Sequence, residues 1–267
     1  MDLSQYMVAF DLDKTLLNSQ GEISSATQAT LKKLQRKGIH LVPASGRPLP
    51  GLNPIVDQLN LSQTDTPLIC LNGALVTTSK THQVIAQDTF DVRAIDDIME
   101  LYAKLKVPFD LISVHDVYSL NDFGISDYPK FAGWSLNFHH VPVANLQLEV
   151  PIYKVAIANQ PKIIDHLARQ IHSDLFRVTR SRRELLELMP SGVSKATGII
   201  AASQFYDLPL ANVIAFGDEE NDLEMLKTAG IGVAMGNAVQ AVRQAVTRHT
   251  LTNDQDGLTE FLEAYFK

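Results

Sequence analysis

Short apolar runs alternate along this chain with stretches in which apolar residues recur every three or four positions, the mark of strands interleaved with helices. The run MVAFDL at 7–12 is apolar on both alternating faces until it reaches Asp11, as expected of a strand covered by helices on each side. Residues 24–37 follow, with Ala26, Leu31 and Leu34 among the helix-spaced apolar positions and Gly38 standing where a helix stops. IHLVPAS at 39–45 reads as the next strand, closed by a turn at Gly46-Arg47-Pro48. From there to Leu59 the pattern is that of a helix broken by Pro50 and Pro54, and PLICLNG at 67–73 is a third strand.

Beyond about residue 82 the pattern changes. Strand-like pieces (QVIAQDTF, FDLISVHD, IYKVAIAN, LFRVTRS) surround two helical patterns at 92–106 and 161–172, which suits an α+β module rather than another βα repeat. From about Pro190 the alternation returns: a helix at 194–205, the strand VIAFGD, a helix at 222–228 and GIGVAM as a last core strand. The expected fold is α/β, a doubly wound Rossmann-like parallel-sheet core formed by 1–82 and 189–267, with an α+β cap domain inserted at 83–188.

Composition narrows the chemistry. The chain has 267 residues, enough to bury a substantial core without staples, and its single cysteine, Cys70, rules out an intramolecular disulfide and a CxxC zinc site. No basic leader and no apolar run of membrane-spanning length is present, so a cytoplasmic protein without membrane contact is expected. A formal charge of -7 argues against a nucleic-acid backbone as partner, while leaving room for a local basic pocket that holds one small anion.

The sharpest signal is the pair of acids that ends the first strand. Residues i and i+2 of a strand share a face, so Asp11 and Asp13 can reach one site at the carboxyl edge of the sheet, where open α/β folds bind ligands. Alone, such a pair also serves to solvate a turn, or to bind a metal in a nucleotide-sugar transferase. Three further signals accompany it. VIAFGD ends in Asp218, and GDEEND places Asn221 and Asp222 beside it, an oxygen-rich cluster suited to a hard divalent cation, although acids at a helix start also complement its dipole. In PASGRP, Ser45 and the amides around Gly46 can donate to an anion, where a plain turn is the alternative. In GVSKATG, Lys195 offers a positive charge at a helix start, although surface exposure is the commoner fate of a lysine, and the spacing is not that of a P-loop.

Taken in order, DLDKTLL at 11–17, ASGRP at 44–48, GVSK at 192–195 and GDEENDLEML at 217–226 resemble the haloacid dehalogenase superfamily of phosphohydrolases, and within it the Cof-type branch with a type IIB cap between the second and third motifs. LNGA at 71–74, AMGNA at 234–238 and NDQDGL at 253–258 fit the same branch. The resemblance implies that Asp11 is a nucleophile forming an aspartyl phosphate, and that Asp13 is the general acid and then the base. It implies Mg²⁺ held by Asp11, the Asp13 main-chain carbonyl and Asp218, with Asp222 in support. Ser45, Lys195, Asn221 and main-chain amides near Leu12 and Gly46 would contact the phosphoryl group. Lys14 departs from the glycine usual in this motif, and Ser45 from the usual threonine; neither removes a catalytic group.

The expected activity is therefore Mg²⁺-dependent hydrolysis of a small phosphorylated metabolite, sugar phosphates first. Flavin-precursor phosphates are an alternative within that class, and a sugar phosphomutase or a non-catalytic sugar-phosphate sensor lies outside it. A monomer or homodimer is expected. Arg47 and Asn72 at the cleft rim, and Arg180 and Arg183 in the last hairpin of the cap, are further candidates for substrate contact, although a solvated basic turn also accounts for the arginines. His139 and His140, adjacent in a strand, point to opposite faces and read as surface residues, and Trp134 reads as cap core or interface.

Overall fold

The structure, a computed structural model, describes residues 2–132 and 136–267; Trp134 lies outside the described residues. The chain opens with β1 (Met7–Phe10), α1 (Ser25–Arg36), β2 (His40–Pro43), α2 (Asn53–Gln58), β3 (Pro67–Cys70), β4 (Leu75–Thr78) and β5 (Val84–Gln87). It continues with α3 (Val92–Leu105), β6 (Phe109–Ile112), β7 (Asp116–Leu120), β8 (Asn137–Val141), β9 (Lys154–Ala158), α4 (Pro161–Leu167), β10 (Phe176–Arg182) and β11 (Leu185–Pro190). It closes with α5 (Lys195–Phe205), β12 (Val213–Gly217), α6 (Leu223–Thr228), β13 (Ile231–Ala234), α7 (Gln240–Ala245), β14 (Arg248–His249) and α8 (Gly257–Tyr265). Two compact units result, one formed by 1–46, 52–86 and 194–267 and the other by 47–51 and 87–193. Among the described residues, no helix is long and apolar enough to cross a membrane.

In the first unit a parallel sheet runs in the order β14-β13-β12-β1-β2. All four residues of β1 are fully buried, as its unbroken apolar run requires. Helix α1 starts where the Ser24 hydroxyl accepts from the Thr27 N–H at 3.0 Å and buries Leu31 and Leu34; Gly38, at φ +100°, turns the chain into β2. PLICLNG is a strand over Pro67–Cys70, β3, which pairs antiparallel with β4 in a separate three-stranded sheet and meets the main one at the Ala44–Ile69 bridge. One expectation is corrected: β13 is not the last core strand, because β14, two residues long, pairs beside it. So short a strand carries no periodicity by which to be read.

The second unit is a six-stranded sheet, β10-β11-β9-β6-β7-β8, antiparallel except for β7 and β8, which run parallel. One face packs Leu111, Val155, Ile157, Leu186 and Leu188 against Ala94, Ile98 and Tyr102 of α3 and Ile164 and Leu167 of α4. Strand alternation puts Asp110, Lys154 and Glu187 on the opposite face, where Lys154 Nζ meets Glu187 Oε1 at 2.6 Å with both side chains 2% exposed. An ion pair so buried accounts for charges within otherwise apolar strands.

Candidate active site

Strand β1 delivers Asp11 and β12 delivers Asp218 at the same edge of the sheet, since Phe10 stands beside Phe216 in parallel register. The Asp11 N–H donates to the Phe216 carbonyl at 3.1 Å, tying the first acid to its neighbour strand before the chain leaves the sheet. It then coils tightly: Leu16 N donates to Asp11 O at 3.2 Å and Leu17 N to Leu12 O at 2.9 Å. Within this coil Asp13 is extended and Lys14 takes φ +61°, the left-handed region that favours glycine. The departure noted at Lys14 thus falls on a backbone position with a steric reason for glycine. Its ammonium pairs with Glu219 at 2.7 Å, and its carbonyl accepts from Asn237 Nδ2 at 2.8 Å.

Lys195, the first residue of α5, is fully buried and bridges two carboxylates, with Nζ 2.6 Å from Asp11 Oδ1 and 2.7 Å from Asp222 Oδ1. The Ser194 hydroxyl, accepting from the Ala196 N–H at 3.2 Å, caps that helix start. Asp222 is held in turn, its Oδ2 accepting from the Asp218 and Glu219 amides at 2.9 and 3.1 Å. Asp218 accepts from the Thr15 hydroxyl at 2.9 Å. Carboxylate oxygens of Asp11, Asp218 and Asp222 all lie within 4.8 Å of one another.

The electrostatics follow from burial and crowding. Burial raises the Asp11 carboxyl to about 7, with Asp222 and Asp13 adding repulsion and Lys195 pulling the other way. Burial, with Asp11 and Asp222 beside it, raises Asp218 to about 9. For Lys195, burial alone would favour the neutral amine, but Asp11 and Asp222 hold it charged, above the ordinary lysine range. With one ammonium facing three buried carboxyl groups, ionising all three leaves negative charge uncompensated, and that is why Asp11 and Asp218 hold their protons to higher pH. An all-oxygen donor set of this kind fits a hard divalent cation such as Mg²⁺.

A second cluster adjoins Ser45, which is 1% exposed. Asn72 N donates to the Ser45 carbonyl at 2.9 Å, and Asn221 Nδ2 donates to Asn72 Oδ1 at 3.0 Å. Gly46 packs so closely that a Cβ there would lie 3.0 Å from Asn72 Oδ1. Asn72 is 2% exposed, so its expected place on a rim is corrected: it is an internal link between the Ser45 turn and Asn221. The Asn221 Oδ1 atom is buried without a hydrogen bond.

Arg47, Arg180 and Arg183 belong to the second unit. Arg47 Nη1 donates to the Gly51 carbonyl at 3.3 Å, and Arg180 Nη1 pairs with Asp165 at 2.8 Å while its other nitrogens donate to the carbonyls of Arg182 and Arg183. His139 is an exposed partner of Asp116 at 2.8 Å.

Several positions that shape the site carried no role in the sequence reading. Thr15 orients Asp218; Gly217 admits Asp222, whose Cβ would lie 2.5 Å from a Cβ at that position; and Gly73, at φ +96°, lets the chain pass the carbonyl of Ser194. All three fall inside recognised motifs, and only the packing shows what they do.

Residues 8–262 match the family described as haloacid dehalogenase-like hydrolase. The 5-amino-6-(5-phospho-D-ribitylamino)uracil phosphatase YitU of Bacillus subtilis is 34% identical over 280 residues, spanning 100% of this chain and 99% of that protein. A haloacid dehalogenase-like hydrolase from Bacteroides thetaiotaomicron superposes with a TM-score of 0.84 at 28% identity, over 98% of this chain and 99% of the other. A haloacid dehalogenase subclass IIB sugar phosphatase shares the fold, with a TM-score of 0.81 at 22% identity over 98% of this chain and 99% of its own. The chain belongs to the haloacid dehalogenase-like hydrolase family. Within that family it is an enzyme of the phosphatase class.

Proposed function

We propose that this chain is a Mg²⁺-dependent phosphomonoesterase that hydrolyses small phosphorylated metabolites, sugar phosphates foremost, through an aspartyl phosphate on Asp11. The observation that carries the reading is the fully buried Lys195 joining Asp11 to Asp222 beside Asp218. A carboxylate attacking a phosphate dianion must be kept ionised and have charge beside it, and Lys195 supplies a fixed positive charge at that atom. Asp11 forms a bond to phosphorus as the bond to the leaving oxygen breaks. Asp13, two residues on, delivers its proton to that oxygen. In the second step Asp13 takes a proton from water, whose oxygen attacks phosphorus and releases phosphate from Asp11, returning both acids to their starting state.

The carboxylates of Asp11 and Asp218 and the carbonyl of Asp13 would hold Mg²⁺, with Asp222 positioned by Lys195 and two backbone amides in support. When bound, the ion offsets the charge of the carboxylates and polarises the phosphoryl oxygens. Ser45, Asn221 and the amides near Leu12 and Gly46 are assigned to the phosphoryl oxygens, a positioning role suited to phosphoryl transfer.

The whole-length likeness to a phosphatase of a ribitylaminouracil phosphate supports a second, narrower reading, in which the substrate is a flavin-precursor phosphate. The two readings share one chemistry, a phosphate ester on a polyhydroxylated carbon chain. Phosphate release from a panel holding hexose phosphates, pentose phosphates and 5-amino-6-(5-phospho-D-ribitylamino)uracil, with Mg²⁺ or with EDTA, tests both. Turnover that requires Mg²⁺ and disappears in Asp11→Asn is expected. Undiminished turnover in EDTA or in Asp11→Asn would remove the reading, and the ranking of the panel decides between the substrates.

A further inference from the structure

We infer that the first unit carries a second small-molecule site, at the opposite edge of its parallel sheet, for a small anion bearing a planar ring, of the nucleoside monophosphate kind. A cleft of about 480 Å³ lies where α1 ends and β2 begins, a volume within the range of small-ligand sites. Strands β1 and β2 run in register from Met7 beside His40 to Phe10 beside Pro43. His40 therefore marks one edge of the sheet, and Asp11, following Phe10, the other. Four strand residues at about 3.3 Å each place the cleft on the order of 13 Å from the candidate active site.

The lining carries the chemistry of such a ligand. Lys32 and Arg36 lie one helical turn apart on α1, spaced to flank one phosphate. The His40 ring stacks on Tyr206 at 3.8 Å with 26° between planes, and His40 Nε2 is anchored on the Ser4 carbonyl at 3.1 Å. This half-buried pair gives the cleft a fixed aromatic wall on which a planar ring can stack. The Asn60 and Gln63 side chains add amide donors and acceptors for the ring edge. Among the described residues that line the cleft none is acidic, although the chain as a whole carries a charge of -7. The carboxylate of neighbouring Asp65 accepts from the Thr81 N–H and hydroxyl at 2.9 Å each, and its negative charge is felt at the Tyr206 phenol, so Lys32 and Arg36 must outweigh it where the anion binds.

The test is calorimetric titration of adenosine 5′-monophosphate into full-length Asp11→Asn protein, chosen so that the probe is not consumed, and into the same protein also carrying Lys32→Glu and Arg36→Glu. Adenosine and inorganic phosphate are titrated separately. The expected result is binding of the monophosphate that weakens at least tenfold in the charge-reversed protein, with each half of the probe binding at least tenfold more weakly than the whole. Lys32 is half-buried and Arg36 exposed, and an unchanged melting temperature shows that the charge-reversed protein is folded. Absence of binding, or equal binding with and without the two charge reversals, overturns the site. Inorganic phosphate whose binding is lost on the two charge reversals, and is as tight as that of the monophosphate, overturns the role given to the aromatic wall; phosphate binding that the reversals leave unchanged belongs to the active site.

Discussion

Lys195 and Asp11 are 184 residues apart in the chain and 2.6 Å apart in the structure. Both are buried, and the same ammonium reaches Asp222 at 2.7 Å, so the helix start of α5 is fastened to the end of β1 and the start of α6 by charge. Removing one partner of a buried pair leaves an uncompensated charge, which costs about 3–5 kcal/mol. Lys195→Met is therefore expected to unfold at markedly lower urea than wild type, and to lose about 10²–10³-fold in phosphate release where enough folded protein survives. Urea melts and turnover measured on one preparation check both effects. Wild-type stability in Lys195→Met would show that the bridge does not fasten the unit.

Gly73 tests how the approach to Lys195 is made. Its φ of +96° is strained for any other residue, and an added Cβ would lie 2.1 Å from the Ser194 carbonyl at the start of α5. Gly73→Ala is expected to cost about 1–3 kcal/mol and, by shifting Lys195, to slow turnover by about 10²-fold. Gly21, at φ +79° with nothing within 4 Å of an added Cβ, is the matched control. Gly21→Ala bears backbone strain alone and should leave turnover near wild type, so equal activity loss in both variants would contradict the packing argument.

These two examples show how far sequence carries. Asp11, Ser45, Lys195 and Asp218 could be picked out as candidates because each stands where an apolar run ends or a helix begins, so pattern and chemistry coincide. Gly73 and Thr15 sit in the same motifs, but their roles depend on Ser194 and Asp218, far off in the chain. The cap hid more. Lys154 and Glu187 lie in runs otherwise apolar, and only the pairing of β9 with β11 brings them together. β14, with two residues, fell below any readable period.

Asp110 gives the second unit a pH signature. Burial raises its carboxyl to about 6, against the bonds donated by the Ser119 and Ser126 hydroxyls and the nearby charge of His140. With the folded value above the unfolded one, the native state holds this proton where the unfolded chain has released it. Stability from this group is thus present at low pH and declines as pH rises from about 4 to about 6, by at most about 3 kcal/mol. Asp110→Asn should remove that slope. Urea melts of both proteins at pH 4 and pH 7 are expected to show the variant gaining on wild type as pH rises, and parallel profiles would count against the buried carboxyl as the cause.

Lys14 supplies the last test, because two opposing effects meet there. Its φ of +61° costs a non-glycine residue about 1–2 kcal/mol, while its bond to Glu219 at 2.7 Å joins an ammonium 56% exposed, a class of pair that contributes at most about 1 kcal/mol. Glycine relieves the strain, loses the pair and adds unfolded-state entropy of about 0.5–1 kcal/mol, so Lys14→Gly should lie within about 1 kcal/mol of wild type. Valine keeps the strain, worsened by its branched Cβ, and also loses the pair. Lys14→Val should therefore be less stable than Lys14→Gly by about 1–2 kcal/mol. Since the ammonium is assigned no part in the chemistry, Lys14→Gly should turn over near the wild-type rate. A valine variant as stable as the glycine one would mean that the coil after Asp11 relaxes away from the left-handed turn, and a large loss of turnover in Lys14→Gly would instead assign the ammonium a direct part in handling substrate.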